Sequence, residues 1–129
     1  MRRDPAKAIV VLDAMLEFFN SGERWTRGAF LNGAGQRCLI GALRYVRWQQ
    51  HIRGAGVENY LRGALIERIA EDIDGWPHPA STLWRCDGGD TVLMCYNDTS
   101  AAGYDEVRAL IVEARALAEA ELYAPGDRR

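Results

Sequence analysis

The chain has 129 residues, of which 48% are hydrophobic and 26% are charged, and its formal net charge at pH 7 is −2. This composition is typical of a folded protein, and a chain of this length can bury a core without a disulfide or a metal ion. Its apolar runs fall well short of the ~20 residues that cross a bilayer, and no signal-peptide pattern opens the chain. We therefore expect a cytoplasmic protein without membrane contact, with one globular domain over residues 1–124 and a disordered tail over residues 125–129.

Three helices are predicted in the first half of the chain. The first covers residues 4–19, because Asp4 is a suitable N-cap, Pro5 suits the first helical position, and apolar residues then follow a 3.6-residue period. The second covers residues 38–53 and the third covers residues 57–73, with glycines between them. A short strand is predicted over residues 26–31, before a glycine-rich turn.

The second half of the chain predicts a hairpin followed by a helix. Residues 81–86 and 91–97 are rich in Thr, Val, Leu, Trp and Tyr, which favour strands, and the sequence Asp-Gly-Gly-Asp between them suits a hairpin loop. An apolar stripe at helical spacing predicts the last helix over residues 105–122. The expected fold class is therefore α+β, with four helices packed on a small, mainly antiparallel sheet.

Positive charge is concentrated in the middle of the chain. Seven arginines and one acid, Glu58, lie between residues 24 and 62, whereas six arginines and thirteen acids follow residue 62. Codon usage can explain why the chain has fifteen arginines and one lysine, but it does not explain this segregation. The arginine fork suits phosphate and carboxylate groups. Since the net charge argues against coating a nucleic acid polymer, we expect a small anionic ligand as the partner.

The three cysteines leave two interpretations of Cys38 open. Their odd number and their spacing do not suit a disulfide framework or a zinc site, so no metal or cofactor is expected. Cys38 starts the second predicted helix, where it is either a small buried residue or a thiolate nucleophile favoured by the helix dipole. A nucleophile needs a base. His51 would lie about 20 Å away along the same helix, which leaves His78, oriented by Asp98 or Asn97.

Two further segments combine aromatic and polar side chains. In Trp25-Thr26-Arg27-Gly28 the indole could stack on a planar ligand and the guanidinium could pair with an anion, although a core tryptophan before a turn is the simpler interpretation. In Tyr96-Asn97-Asp98 the polar groups suit either a ligand or the cap of the next helix. The candidate ligand-binding residues are Trp25, Thr26, Arg27, Arg37, Arg44, Tyr96, Asn97 and Asp98.

Three motifs in order resemble a family of small domains of unknown function found in bacteria and their viruses. They are Trp25-Thr26-x-Gly28, Cys38-Leu39-x-Gly41-Ala42-Leu43, and Tyr96-Asn97-Asp98 followed by Glu106-Val107. This chain departs from the family pattern at Tyr96, where Trp is usual, and at Ala102-Gly103, where Arg-Thr is common. The resemblance implies a shared single-domain fold and no established activity. The occurrence of relatives in viruses suggests the capture of a host immune signalling molecule.

Three functional hypotheses follow. The leading one is a non-catalytic, homodimeric binding module for a small anionic ligand of nucleotide-derived type, acting as a viral counter-defence protein. The first alternative is a cysteine-dependent hydrolase or transferase that uses Cys38, His78 and Asp98. The second alternative is an inhibitor that binds a host protein through an exposed face.

Overall fold

The computed structural model describes residues 3–69 and 90–123 of the chain. They form five α-helices and one π-helical turn. The order is α1 (Pro5–Phe19), α2 (Leu39–Gln50), α3 (Val57–Ile69), α4 (Asp90–Cys95), the π-helical turn (Tyr96–Ser100) and α5 (Tyr104–Leu122). None of the helices in these two ranges is long and apolar enough to cross a membrane.

The predicted α+β fold class is wrong, because the described ranges are helical and contain no strand. Their only β-type pairing is an isolated parallel bridge between Trp25 and Arg37. The predicted strand over residues 26–31 is instead part of an irregular loop, in which Gly28 has a φ of +76° and interrupts extended backbone. The first predicted hairpin strand, residues 87–89 of its loop, His78, Cys86 and the tail over residues 125–129 lie outside the described residues, whereas Asp90 opens α4.

The predicted second hairpin strand is also wrong. Residues 91–95 lie in α4, and Tyr96 and Asn97 open the π-helical turn. Val92, Leu93 and Tyr96 are all buried, and their i, i+1, i+4 spacing is that of one helical face. The strand preference of Val and Tyr is context-dependent, so burial of this face decides the structure.

The core lies between α1 and the helices packed around it. α1 runs antiparallel to α5, as the ion pairs of Arg3 with Glu121 and of Asp13 with Arg115 show. α1 also packs on α2, and α3 packs on α5. The predicted N-cap is confirmed, since Asp4 accepts a hydrogen bond from the Lys7 backbone N–H at 3.2 Å. The largest fully buried side chains belong to Leu12, Met15, Phe19, Leu39, Ile40, Leu43, Leu61, Leu65, Leu93, Leu110 and Ile111.

Candidate functional site

Asn97 is the one polar residue among the buried side chains of the described ranges, and its amide is completely hydrogen-bonded. Its Oδ1 accepts from the Trp25 indole N–H at 2.6 Å and from the Leu39 backbone N–H at 3.1 Å. Its Nδ2 donates to the Thr26 carbonyl at 3.1 Å and to the Asp98 carboxylate at 2.8 Å. An amide offers two donors and one acceptor oxygen with two lone pairs, so this set of bonds uses all of them.

The loop carrying Trp25 is held against the π-helical turn by two more contacts. The Asp98 carboxylate accepts from the Gly28 backbone N–H at 2.8 Å. The Arg27 guanidinium donates to the Ala101 carbonyl and stacks over the Trp25 ring, with its central carbon 5.0 Å from the ring centre. The predicted site segments around Trp25 and Asn97 therefore do come together, although their polar groups bind one another.

Tyr96 precedes Asn97 in the chain, but its side chain is directed toward α5 in the core. Its side chain is 5% exposed, and its hydroxyl donates to the Glu106 carbonyl at 3.3 Å. Burial raises the pKa of Tyr96 above the usual value for a phenol. Five predicted ligand-binding residues thus meet at one junction, and ligand contact at this junction stays a prediction. They are Trp25, Thr26, Arg27, Asn97 and Asp98.

Cys38 caps the N-terminus of α2. Its side chain is only 3% exposed, and its sulfur accepts a hydrogen bond from the Gly41 backbone N–H at 3.4 Å. Asn97 takes the Leu39 N–H, so the first turn of α2 has two side-chain caps. This geometry favours the interpretation of Cys38 as a buried capping residue. His51 stands at the opposite end of the same helix, and His78 lies outside the described ranges.

Gly41 allows the preceding loop to lie directly on α2. A Cβ atom at this position would come within 2.2 Å of the Phe30 carbonyl oxygen. No larger side chain fits without moving the backbone, so this close approach requires glycine at position 41. The Cys-x-x-Gly spacing is therefore explained by two structural contacts, the Cys38 cap on the Gly41 N–H and the packing of Phe30 on Gly41.

The other two predicted residues, Arg37 and Arg44, lie on a different surface. The Arg37 guanidinium stacks 4.2 Å from the Tyr45 ring centre, and the Arg44 guanidinium lies 4.7 Å from that of Phe30. Arg24, which sequence reasoning counted in the basic segment but did not select, lies 5.6 Å from the ring centre of Phe18. The sequence feature that points to Arg24 is the net charge of +6 carried by residues 24–62.

Arg24 and Arg37 are brought together by backbone and ring contacts. The Arg37 backbone N–H donates to the Arg24 carbonyl at 2.7 Å. The rings that their guanidinium groups cover, Phe18 and Tyr45, pack with centres 5.4 Å apart. We call these four residues the arginine face. In the described part of the chain no carboxylate lies within ion-pair distance of either guanidinium.

A comparison with protein-family models identifies the family of this chain. The model of a family of unknown function, DUF6197, matches residues 3–117. The chain belongs to DUF6197. That span includes the Asn97 junction, the Cys38 cap and the arginine face. No curated protein and no solved structure is significantly similar to the chain.

In this DUF6197 member a small groove borders the arginine face. Its volume is about 190 Å³, which suits a phosphate-sized group rather than a whole nucleotide. Arg24 and Tyr45 line it, together with the amide side chains of Gln49 and Gln50 and the carboxylate of Glu17. Across the described ranges, no group of three His, Cys, Asp or Glu side chains is arranged to hold a metal ion.

Proposed function

We propose that this chain is a non-catalytic binding module for a small anionic ligand, held on the arginine face. One observation carries the proposal: Arg24 and Arg37 are adjacent, both are stacked on aromatic rings, and no described carboxylate lies within ion-pair distance of either. Stacking covers the face of a guanidinium and leaves its edge of N–H donors directed outward. That edge matches the oxygens of a phosphate or a carboxylate.

This geometry and the family resemblance together support a small anionic ligand of nucleotide-derived type. The groove beside Arg24 accommodates a phosphate-sized group and is lined by the amide of Gln50 and the carboxylate of Glu17. The Gln49 amide uses one of its N–H donors on the Tyr45 hydroxyl, at 2.9 Å. A larger nucleotide-derived molecule would leave the rest of its surface outside this groove. Arg44, which is exposed on α2 and stacked on Phe30, is a further cationic and aromatic pair. Sequestration of a host immune signalling molecule is proposed from the resemblance to domains of bacterial viruses, and the arginine face is compatible with it.

Calorimetric titration of the purified chain tests the proposal. The panel is inorganic phosphate, mononucleotides and cyclic dinucleotides. We expect at least one ligand to bind more tightly than millimolar, and Arg24→Gln and Arg37→Gln each to weaken it about tenfold, because each removes a charge-assisted contact. Arg108→Gln is the control, because Arg108 is exposed on α5 and its substitution removes one positive charge, as the other two substitutions do.

Two outcomes of this titration would reject the arginine face as the binding site. One is affinity in Arg24→Gln and Arg37→Gln that equals that of Arg108→Gln. The other is the absence of any binding tighter than millimolar across the panel. Arg37→Lys adds a test of geometry: it keeps the charge but loses the planar fork, so we expect partial weakening.

A second candidate function, binding of a host protein, is favoured by the apolar loop beside Arg44. Phe30 is 43% exposed and Leu31 is 52% exposed, and the Arg44 guanidinium covers the Phe30 ring. Aromatic and arginine side chains in contact are typical of protein interfaces. Capture of one stoichiometric partner that is lost in Phe30→Ser would favour this candidate, and sedimentation of the chain alone would show whether the same loop forms a homodimer.

A further inference from the structure

A second, larger groove lies along the C-terminal part of α2 and adjoins the arginine face, since the ring of Trp48 in the groove packs against that of Tyr45. It has a volume of about 700 Å³ and runs between the last turn of α2 and the first turn of α3. This is within the range of small-molecule sites. The side chains that give it chemical character are Trp48, Arg47, Glu58, His51 and Arg53. None of the described residues that line this groove belongs to the candidate site described above.

Trp48 forms an uncovered aromatic wall of this groove. Its side chain is 74% exposed, and within residues 3–69 and 90–123 its closest ring neighbour is Tyr45, with centres 6.5 Å apart. Trp25 differs, since its indole N–H is bound to Asn97 and its ring is half-buried. A tryptophan so exposed leaves a large apolar area in water, and a planar ring stacked on it would cover that area.

Arg47 and Glu58 form a fixed ion pair at the base of the groove. The two guanidinium nitrogens of Arg47 bond to the two oxygens of Glu58 at 3.1 and 2.8 Å. The side chains are 19% and 15% exposed, so the pair is largely shielded from water. The pair carries no net charge, but each carboxylate oxygen keeps a second lone pair that can accept from a ligand.

The end of the groove carries one net positive side chain and a rigid turn. Arg53 is exposed at this end, beside His51. His51 adopts a left-handed φ of 56°, and the backbone N–H groups of His51 and Ile52 bond to the Trp48 and Arg47 carbonyls at 3.2 and 3.0 Å. These bonds close the last turn of α2, so the groove wall is formed before any ligand arrives.

We propose that this groove binds a purine nucleotide with a single anionic group. The base stacks on Trp48, its hydrogen-bond donors face the free lone pairs of Glu58, and the phosphate lies toward Arg53. A purine fits because it combines a flat face with N–H donors along one edge. A single phosphate fits because, among the described residues that line the groove, Arg53 is the one arginine whose charge is not matched by the Arg47–Glu58 pair.

Titration with guanosine monophosphate, guanosine and inorganic phosphate tests this proposal. We expect the nucleotide to bind more tightly than guanosine, and inorganic phosphate not to compete with it. Trp48→Ala should weaken nucleotide binding about tenfold or more, because stacking of one base contributes about that much. Arg53→Gln should weaken the nucleotide but leave guanosine unchanged, which assigns the phosphate contact. Both side chains are exposed, so circular dichroism should show an unchanged fold.

Arg24→Gln separates this site from the arginine face. If guanosine monophosphate binds Arg24→Gln as it binds the unsubstituted chain, while Trp48→Ala loses it, the groove is the site. The proposal is overturned if the nucleotide binds Trp48→Ala with unchanged affinity, or if the unsubstituted chain does not bind it below millimolar concentration. Loss of binding in Arg24→Gln with full binding in Trp48→Ala would assign the nucleotide to the arginine face instead.

Discussion

The indole nitrogen of Trp25 donates a 2.6 Å hydrogen bond to Oδ1 of Asn97, although 72 positions separate the two residues. The same oxygen accepts from the Leu39 N–H, at the start of α2. One buried amide therefore connects the loop after α1, the N-terminus of α2 and the turn before α5. Each of the three motifs that gave the sequence its family resemblance contributes one residue to this point, and these contacts connect parts of the fold.

Removal of the Asn97 side chain should destabilise the fold strongly. In Asn97→Ala the Leu39 N–H and the Thr26 carbonyl lose their buried partners, and each unsatisfied group costs about 1–3 kcal/mol. We expect the free energy of unfolding to fall by about 2–4 kcal/mol, measured by urea denaturation. Asn59→Ala is the matched control, because the Asn59 side chain accepts from the Arg62 guanidinium within α3 and is only partly buried. Equal losses in the two variants would contradict the structural role of Asn97.

The sequence predicted the helices well where period and cap agreed. α1 begins after Asp4, as predicted, and α5 begins one residue before the predicted position. The strand over residues 91–97 failed because its residue types favour strands while its burial pattern follows a helix. Local patterns also carry no information on the bond between Trp25 and Asn97, since it depends on how distant segments pack.

Gly41 and Gly63 provide a matched pair of helical glycines for testing the close packing of the loop on α2. In Gly41→Ala the new methyl group would meet the Phe30 carbonyl oxygen at 2.2 Å, so backbone must move. We expect a loss of about 3 kcal/mol or more, in the range of severe overpacking. In Gly63→Ala the methyl group would meet Leu117 at 3.5 Å, an ordinary contact, and should stabilise α3 by about 0.5–1 kcal/mol. Thermal melts of both variants measure this, and an unchanged melting temperature in Gly41→Ala would contradict the close approach.

The arginine residues illustrate how far a candidate site can be predicted from sequence. Charge segregation drew attention to residues 24–62, and anion binding by these arginines stays a prediction. The pairing of Arg24 with Arg37 depends on an isolated bridge and on the packing of Phe18 against Tyr45, which no local pattern indicates. The polarity of Asn97 predicts a ligand-binding residue. In the structure its side chain is fully buried, and its four hydrogen bonds are made to other parts of the chain.

Substitutions of Cys38 should distinguish a capping residue from a nucleophile. Cys38→Ser keeps a side-chain acceptor for the Gly41 N–H, so we expect stability within about 1 kcal/mol of the original chain. Cys38→Ala loses the acceptor and should cost about 1 kcal/mol more than the serine variant. Iodoacetamide labelling located by mass spectrometry should modify Cys38 much more slowly in the folded chain than in urea, because its side chain is 3% exposed. Rapid labelling in the folded state would instead support the cysteine-dependent enzyme.

Stability should fall at alkaline pH because three tyrosines are buried as neutral phenols. Burial raises the pKa of Tyr60, Tyr96 and Tyr104, and the carboxylate of Glu121, which accepts from the Tyr60 hydroxyl at 2.6 Å, raises that of Tyr60 further. Below pH ~10 these phenols are protonated in both the folded and the unfolded chain, so they contribute no pH dependence. Above pH ~10 the unfolded chain releases these protons first, so the free energy of unfolding decreases as pH rises.

Tyr60→Phe tests the contribution of Tyr60 to the loss of stability at alkaline pH, which is the largest of the three because its pKa is raised most. The variant cannot release a proton at this position, so its free energy of unfolding should fall less steeply between pH 10 and pH 12 than that of the original chain. It also loses the bond to Glu121, which costs about 1 kcal/mol at pH 8 and lowers the whole curve without changing its slope. Tyr123→Phe controls for removal of an exposed phenol, since Tyr123 is 69% exposed. Urea denaturation at each pH gives the curves, and an alkaline slope in Tyr60→Phe equal to that of the original chain would show that Tyr60 ionises as easily folded as unfolded.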